Sequence, residues 1–131
     1  MLKKTIPYTD FNGIERKVDC YFNLTQAEIM KMEGAGFSKK VNKIIEAETP
    51  DANAIIEVVD ELITKSYGVR TDTNGFVKRA TDCEEFMAGE VYSALFMELV
   101  TDADALAAFI NGVIPEKVLQ QATAANTTSL N

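Results

Sequence analysis

The feature that most constrains the fold is a change of hydrophobic period at residue 24. Before it, Val18, Cys20 and Phe22 alternate with Asp19, Tyr21 and Asn23, the period of two that belongs to a half-buried strand. After it, apolar residues recur three and four positions apart, the spacing of a helix with one buried face. The break carries its own punctuation. Thr25-Gln26-Ala27-Glu28 is a capping box, in which the Thr hydroxyl and the Glu carboxylate each satisfy an amide left orphaned by the first helical turn. Leu24 and Ile29 flank it at hydrophobic-staple positions.

The first 23 residues are expected to form a β-hairpin. Its turn falls at Asp10-Phe11-Asn12-Gly13, because Asn and Gly both tolerate positive φ. Pro7 donates nothing to a ladder, which places the first strand at a sheet edge or a bulge. A short helix then runs from the capping box to Gly34-Ala35-Gly36, and a second from Ser38 to about Ala47 with Val41, Ile44 and Ile45 on one face. Thr49-Pro50-Asp51 opens a third, which carries Ile55, Ile56, Val59, Leu62 and Ile63 and ends at Tyr67-Gly68 with glycine as its C-terminal cap. Residues 69–80 form a polar interruption, with a turn at Asn74-Gly75 and a short extended piece at Phe76-Val77. A second capping box, Thr81-Asp82-Cys83-Glu84, opens the longest predicted helix, whose stripe is Phe86, Met87, Val91, Tyr92, Leu95, Phe96, Leu99 and Val100. Thr101 caps a further helix closed by Asn111-Gly112, and Pro115 opens one more turn around Val118 and Leu119. Residues 121–131 have no period and read as a disordered tail. The expectation is one α+β domain over residues 1–120, predominantly α: the hairpin of residues 1–23, then a bundle of about five helices.

Composition narrows the chemistry. The net charge of −7 argues against an extended phosphate-binding surface, so no nucleic-acid partner is expected. There is no histidine, which removes imidazole from any nucleophile pair or metal site, and two cysteines cannot make a four-thiolate zinc site. No catalytic residue, cofactor or metal is expected. Gly34-x-Gly36 before Lys39-Lys40 lacks the third glycine and the GK[ST] of a phosphate loop. Asp72-x-Asn74-Gly75 resembles the middle of an EF-hand, but Arg70 and Thr81 stand where two essential ligands belong. Glu84 and Glu85, about 100° apart on a helix, cannot converge on one substrate. Cys83 near a helix N-terminus would gain thiolate character, yet Asp82, Glu84 and Glu85 surround it. No apolar run approaches 18 residues, and no apolar segment follows Lys3-Lys4, so neither a membrane span nor a signal peptide is expected. Cys20 and Cys83 read as free thiols of a reducing cytosol.

The charge is unevenly placed. Residues 1–43 hold eight basic and five acidic residues, a balance of +3, whereas residues 44–131 hold five and fifteen, a balance of −10. Residues 80–116 contain eight acids and no base, and they are also the most hydrophobic stretch. Such a block is a core helix pair with a solvated acidic face, or a partner-binding face whose acids select a basic partner. The two ends also suit a head-to-tail contact between copies.

Tyr8-Thr9-Asp10-Phe11-Asn12-Gly13, then Tyr21-Phe22-Asn23-Leu24-Thr25-Gln26-Ala27-Glu28, resemble the start of a small protein encoded in the tail-gene clusters of siphophages of Gram-positive bacteria. The resemblance continues at Lys65-Ser66-Tyr67-Gly68-Val69-Arg70. It is strongest from Ala94-Leu95-Phe96-Met97-Glu98-Leu99-Val100 through Ala108-Phe109-Ile110-Asn111-Gly112-Val113-Ile114-Pro115. By these blocks the chain resembles the phage tail assembly chaperones. The resemblance implies a non-enzymatic protein of the host cytoplasm. Such a protein binds the tape measure protein, keeps it soluble and promotes tail tube assembly around it. A homo-oligomer is expected from the two charge ends, and the resemblance adds the tail tube protein as a further partner. It also implies a short form, whose polar end lies where a frameshifted extension would begin. The alternative is a structural tail component, a tail-completion or tube-associated protein retained in the virion. The candidate partner surface is the helical stripe of Tyr92, Phe96, Leu99, Phe109, Ile110 and Ile114.

Overall fold

The computed structural model describes residues 1–49, 51–72 and 74–114. The expected turn around Val118 and Leu119 and the expected tail of residues 121–131 lie outside the described residues. The chain opens with strands β1 (Leu2–Thr9) and β2 (Glu15–Phe22), antiparallel and in register from Leu2 opposite Phe22 to Thr9 opposite Glu15. Helices α1 (Gln26–Gly34), α2 (Phe37–Glu46) and α3 (Ala52–Ser66) follow. Two short strands, β3 (Tyr67–Arg70) and β4 (Phe76–Val77), complete an antiparallel sheet of order β1-β2-β3-β4. Helices α4 (Ala80–Ala88), α5 (Glu90–Thr101) and α6 (Ala103–Val113) close the described chain. The class is α+β and mainly α, as the period change implies.

The hairpin turn is one residue longer than the two-residue turn its Asn-Gly signal suggests. Gly13 takes φ of +80°, but Asn12 does not enter the left-handed region. The Gly13 amide donates to the Asp10 carbonyl at 3.0 Å, closing a turn followed by one left-handed residue, which is the three-residue hairpin loop. The Asp10 carboxylate accepts from the amides of Asn12 and Ile14, both at 2.9 Å, and holds Arg16 at 2.5 Å, which draws its pKa down. Pro7 lies on β1, the edge strand.

The capping box at Thr25 is complete. The Glu28 amide donates to Thr25 Oγ1 and the Thr25 amide to Glu28 Oε1. Lys78, just ahead of α4, joins this site to two other elements. Its ammonium donates to both Glu28 oxygens at 2.7 Å and to the Lys65 carbonyl of α3 at 2.7 Å. Burial pushes the Glu28 carboxyl up, and the Lys78 ammonium with the Thr25 amide more than reverses it, so Glu28 titrates below the usual range.

Four expected boundaries shift. The third helix is capped by Asp51, whose carboxylate accepts from the Asn53 amide, and it ends at Ser66, so Gly68 is a strand residue rather than a helix cap. A Cβ on Gly68 would enter the Phe76 ring and stand 2.8 Å from the Val77 carbonyl oxygen: glycine is there to let β4 approach. The Thr81 box caps nothing, because the helix already begins at Ala80 after Arg79. The predicted longest helix breaks at Gly89 into α4 and α5, so that six helices stand among the described residues where about five were expected. Glycine is the weakest ordinary helix former, and the break re-aims Phe86 relative to Leu95 and Leu99. Asp102, not Thr101, caps α6, and that helix passes through Asn111-Gly112 to Val113. Gly112 makes room for Leu2, whose nearest carbon would lie 3.0 Å from an added Cβ.

The core joins sheet to helices. Ile6, Cys20 and Phe22 of the hairpin are buried with Val59, Leu62 and Ile63 of α3, Phe86, Leu95 and Leu99 of α4–α5, and Phe109 and Val113 of α6. Polar ties hold the layers in register: Lys4 donates to Glu98 of α5 at 3.1 Å, and the Leu24 amide to the Val113 carbonyl at 3.0 Å. Gly68→Ala is expected to cost about 1–3 kcal/mol through overpacking against rigid backbone. Urea unfolding followed by circular dichroism measures it; a midpoint equal to wild type contradicts the close approach of β4.

Candidate functional site

α2 is the least settled element in the core. Its apolar residues fall on one face, yet none of its ten residues is fully buried, and Ile45 is 73% exposed. The helix hangs on a left-handed Gly36 (φ +87°) and on polar links to its neighbours. The Ser38 amide and hydroxyl donate to Glu33 Oε1 at 3.1 and 2.5 Å, and Lys40 pairs with Glu57 and Glu61 of α3 at 3.5 and 3.8 Å. An amphipathic helix seated this shallowly leaves apolar space on both flanks.

That space is a groove in two parts. On one side, about 550 Å³ opens between α2 and the α5–α6 corner, walled by Val41, Ile44, Ile45, Val100, Leu106 and Ile110. On the other, about 350 Å³ opens between α1, α2 and the end of α6, walled by Ile29, Met32, Phe37, Val41, Ile110 and Ile114. Val41 and Ile110 belong to both parts. The structure thus brings three of the six predicted residues to the groove: Ile110 and Ile114, both half-buried, and Leu99, 1% exposed in its floor. Phe109, 3% exposed, is a core residue whose ring packs edge-on to Phe22 at 5.0 Å. Tyr92 and Phe96 lie elsewhere, ring centroids 5.7 Å apart, at the end of an aromatic run through Phe86 and Tyr67. The Tyr92 hydroxyl donates to the Asp60 carboxylate of α3, and burial together with that carboxylate pushes the phenol up. The α2 wall and Leu106 were not among the predicted site residues. The signal for the α2 wall was in the sequence as an apolar face on a helix bearing Lys39, Lys40 and Lys43.

Charge differs between the walls. Lys40 and Lys43 of α2 line a separate pocket towards α3, while Glu48 lines the groove and Asp102 and Asp104 are the sequence neighbours of its lining residues Thr101 and Ala103. Within the acidic stretch, Glu98 is paired with Lys4 and Asp82 with Arg79; Glu84, Glu85, Glu90, Asp102 and Asp104 make no ion pair among the described residues. Among the described residues no group of three or more His, Cys, Asp or Glu is placed to hold a metal ion, and no helix is long and apolar enough to cross a membrane. Cys83 is half-buried, and burial, with Asp60 and Glu84 nearby, raises its thiol instead of lowering it. Cys20 is buried and its thiol is pushed up to about 11.

The described residues thus form a mainly helical α+β protein with an open apolar groove along α2. A family model described as phage tail assembly chaperone matches residues 1–130, and the chain belongs to that family. The family points to a non-enzymatic role. No curated protein and no solved structure matches the chain.

Because the thiolate is the reacting form, raised thiol pKa values make both cysteines slow toward alkylating reagents at pH 8. Mass spectrometry after iodoacetamide treatment is expected to show an unmodified native protein and two adducts after unfolding in urea. Rapid native labelling at Cys83 contradicts the raised pKa.

Proposed function

We propose that this chain binds the tape measure protein of a phage tail in the host cytoplasm, keeps it soluble and promotes assembly of the tail tube around it, with the tail tube protein as a further partner. One observation carries the reading: the groove along α2, whose apolar walls meet solvent instead of core. A soluble protein that leaves aliphatic side chains open in a concave site gains by covering them with a partner's apolar face. An amphipathic helix of the client fits such a groove, laying residues spaced three and four apart along Val41, Leu106 and Ile110. Acids at the α5–α6 corner that make no ion pair among the described residues favour a client segment with basic flanks. Within the predicted stripe, Ile110 and Ile114 act as the contact residues, while Leu99 and Phe109 support them from the core. The homo-oligomer implied by the charge distribution is part of the same proposal.

Co-expression with the tape measure protein tests it. Wild-type chain is expected to move that protein from the insoluble to the soluble fraction. Ile45→Glu, at a 73% exposed position on the groove wall, is expected to fold normally and to weaken client binding about tenfold, from the aliphatic area it withholds. A client equally insoluble with and without the wild-type chain overturns the reading.

A further inference from the structure

α6 delivers the chain to the smaller part of the groove. The Leu24 amide donates to the Val113 carbonyl at 3.0 Å, which pins the end of α6 beside the start of α1. The next residue, Ile114, leaves the helix in an extended conformation (φ −79°, ψ 129°), the one that a following proline imposes. Ile114 is half-buried and is itself a wall of the 350 Å³ space between α1, α2 and the end of α6. The sequence beyond it, Pro115-Glu116-Lys117-Val118-Leu119, therefore starts at that space.

This segment carries what the space lacks. Val118 and Leu119 are adjacent aliphatic residues, suited to walls made by Phe37, Val41 and Ile110. They stand four and five residues past Ile114, a reach of up to about 18 Å of extended chain, whereas a 350 Å³ space is only about 9 Å across. Lys117 ends the base-free run of residues 80–116. At the rim of the space stands Glu33, exposed, accepting from Ser38 through Oε1 and making no ion pair among the described residues. We propose that residues 116–119 fold back onto their own chain, with Val118 and Leu119 seated between α1, α2 and α6 and Lys117 at Glu33. A tethered segment meets its site at a millimolar effective concentration, so a contact too weak to form between separate molecules suffices. Val41 and Ile110 also wall the larger part of the groove, so a client helix laid along both parts has to displace the segment. The inference rests on the groove being the client's site, and adds a plug that regulates it.

Hydrogen exchange of the full chain without client tests the contact, read over residues 33–42 at the α1–α2 wall. Val118→Ser combined with Leu119→Ser is expected to speed exchange there about tenfold, with an unchanged circular dichroism spectrum. Lys117→Glu is expected to act in the same direction by a smaller factor, and Leu130→Ser to leave the wild-type rate. The gap between wild type and the double variant is expected to stay constant from micromolar to near-millimolar chain, because the contact lies within one copy. Equal exchange in wild type and the double variant overturns the proposal. So does a gap that closes on dilution, which gives the site to a second copy, or a Leu130→Ser chain that exchanges like the double variant. No client takes part, so failure of the co-expression test leaves this result untouched.

Discussion

The structure depends on Phe22. Its ring is fully buried and meets Tyr67 of β3, Phe86 of α4 and Phe109 of α6 edge-on, with centroids 5.9, 6.2 and 5.0 Å away. Edge-to-face contacts of this kind add about 0.5–1.5 kcal/mol each beyond area burial. Removing such a ring from a core costs about 3–5 kcal/mol, a large part of the 5–15 kcal/mol by which a small protein is folded. Three elements distant in sequence are therefore fixed to the second strand by one of its side chains. The peptide after it carries the same junction: the Asn23 amide donates to the Ser66 carbonyl at 2.8 Å, and the Leu24 amide reaches Val113.

From that junction the packing weakens toward α2. The aromatic cluster is sealed by rings, the α3–α5 contact by Tyr92 bonded to Asp60, and the β1–α5 contact by Lys4 bonded to Glu98. α2 is held mostly by ion pairs near the surface, which contribute little in water. Its aliphatic residues gain only part of their possible burial. A helix so placed is drawn from the low-stability end of the structure, where binding surfaces are found. The chain is thus tightly packed where sheet and helices meet and open along α2.

Much of this was legible because it is local. The period change at residue 24 and the Thr25 box involve residues within a turn of one another, and both appear as expected. Glycine was harder to read. Gly68 and Gly112 look like helix stops, but each serves a long-range approach, to Phe76 and to Leu2, which only the fold reveals. β3 escaped notice because four residues with a glycine among them carry no countable period. The predicted stripe mixed two populations for the same reason: helical spacing gives the inward side but not what lies opposite. Leu99 and Phe109 meet the core, Ile110 and Ile114 meet the groove, and the difference lies in the partial seating of α2.

The central claim is that the groove along α2 receives the client. Hydrogen exchange of the full chain, alone and bound to the tape measure protein, reads this directly. The account predicts added protection in α2 and in the helical turns around Leu106 and Ile110, with little change in β2 or around Phe86. Protection confined to the aromatic side at Tyr92 and Phe96, with α2 exchanging as in the free chain, contradicts it.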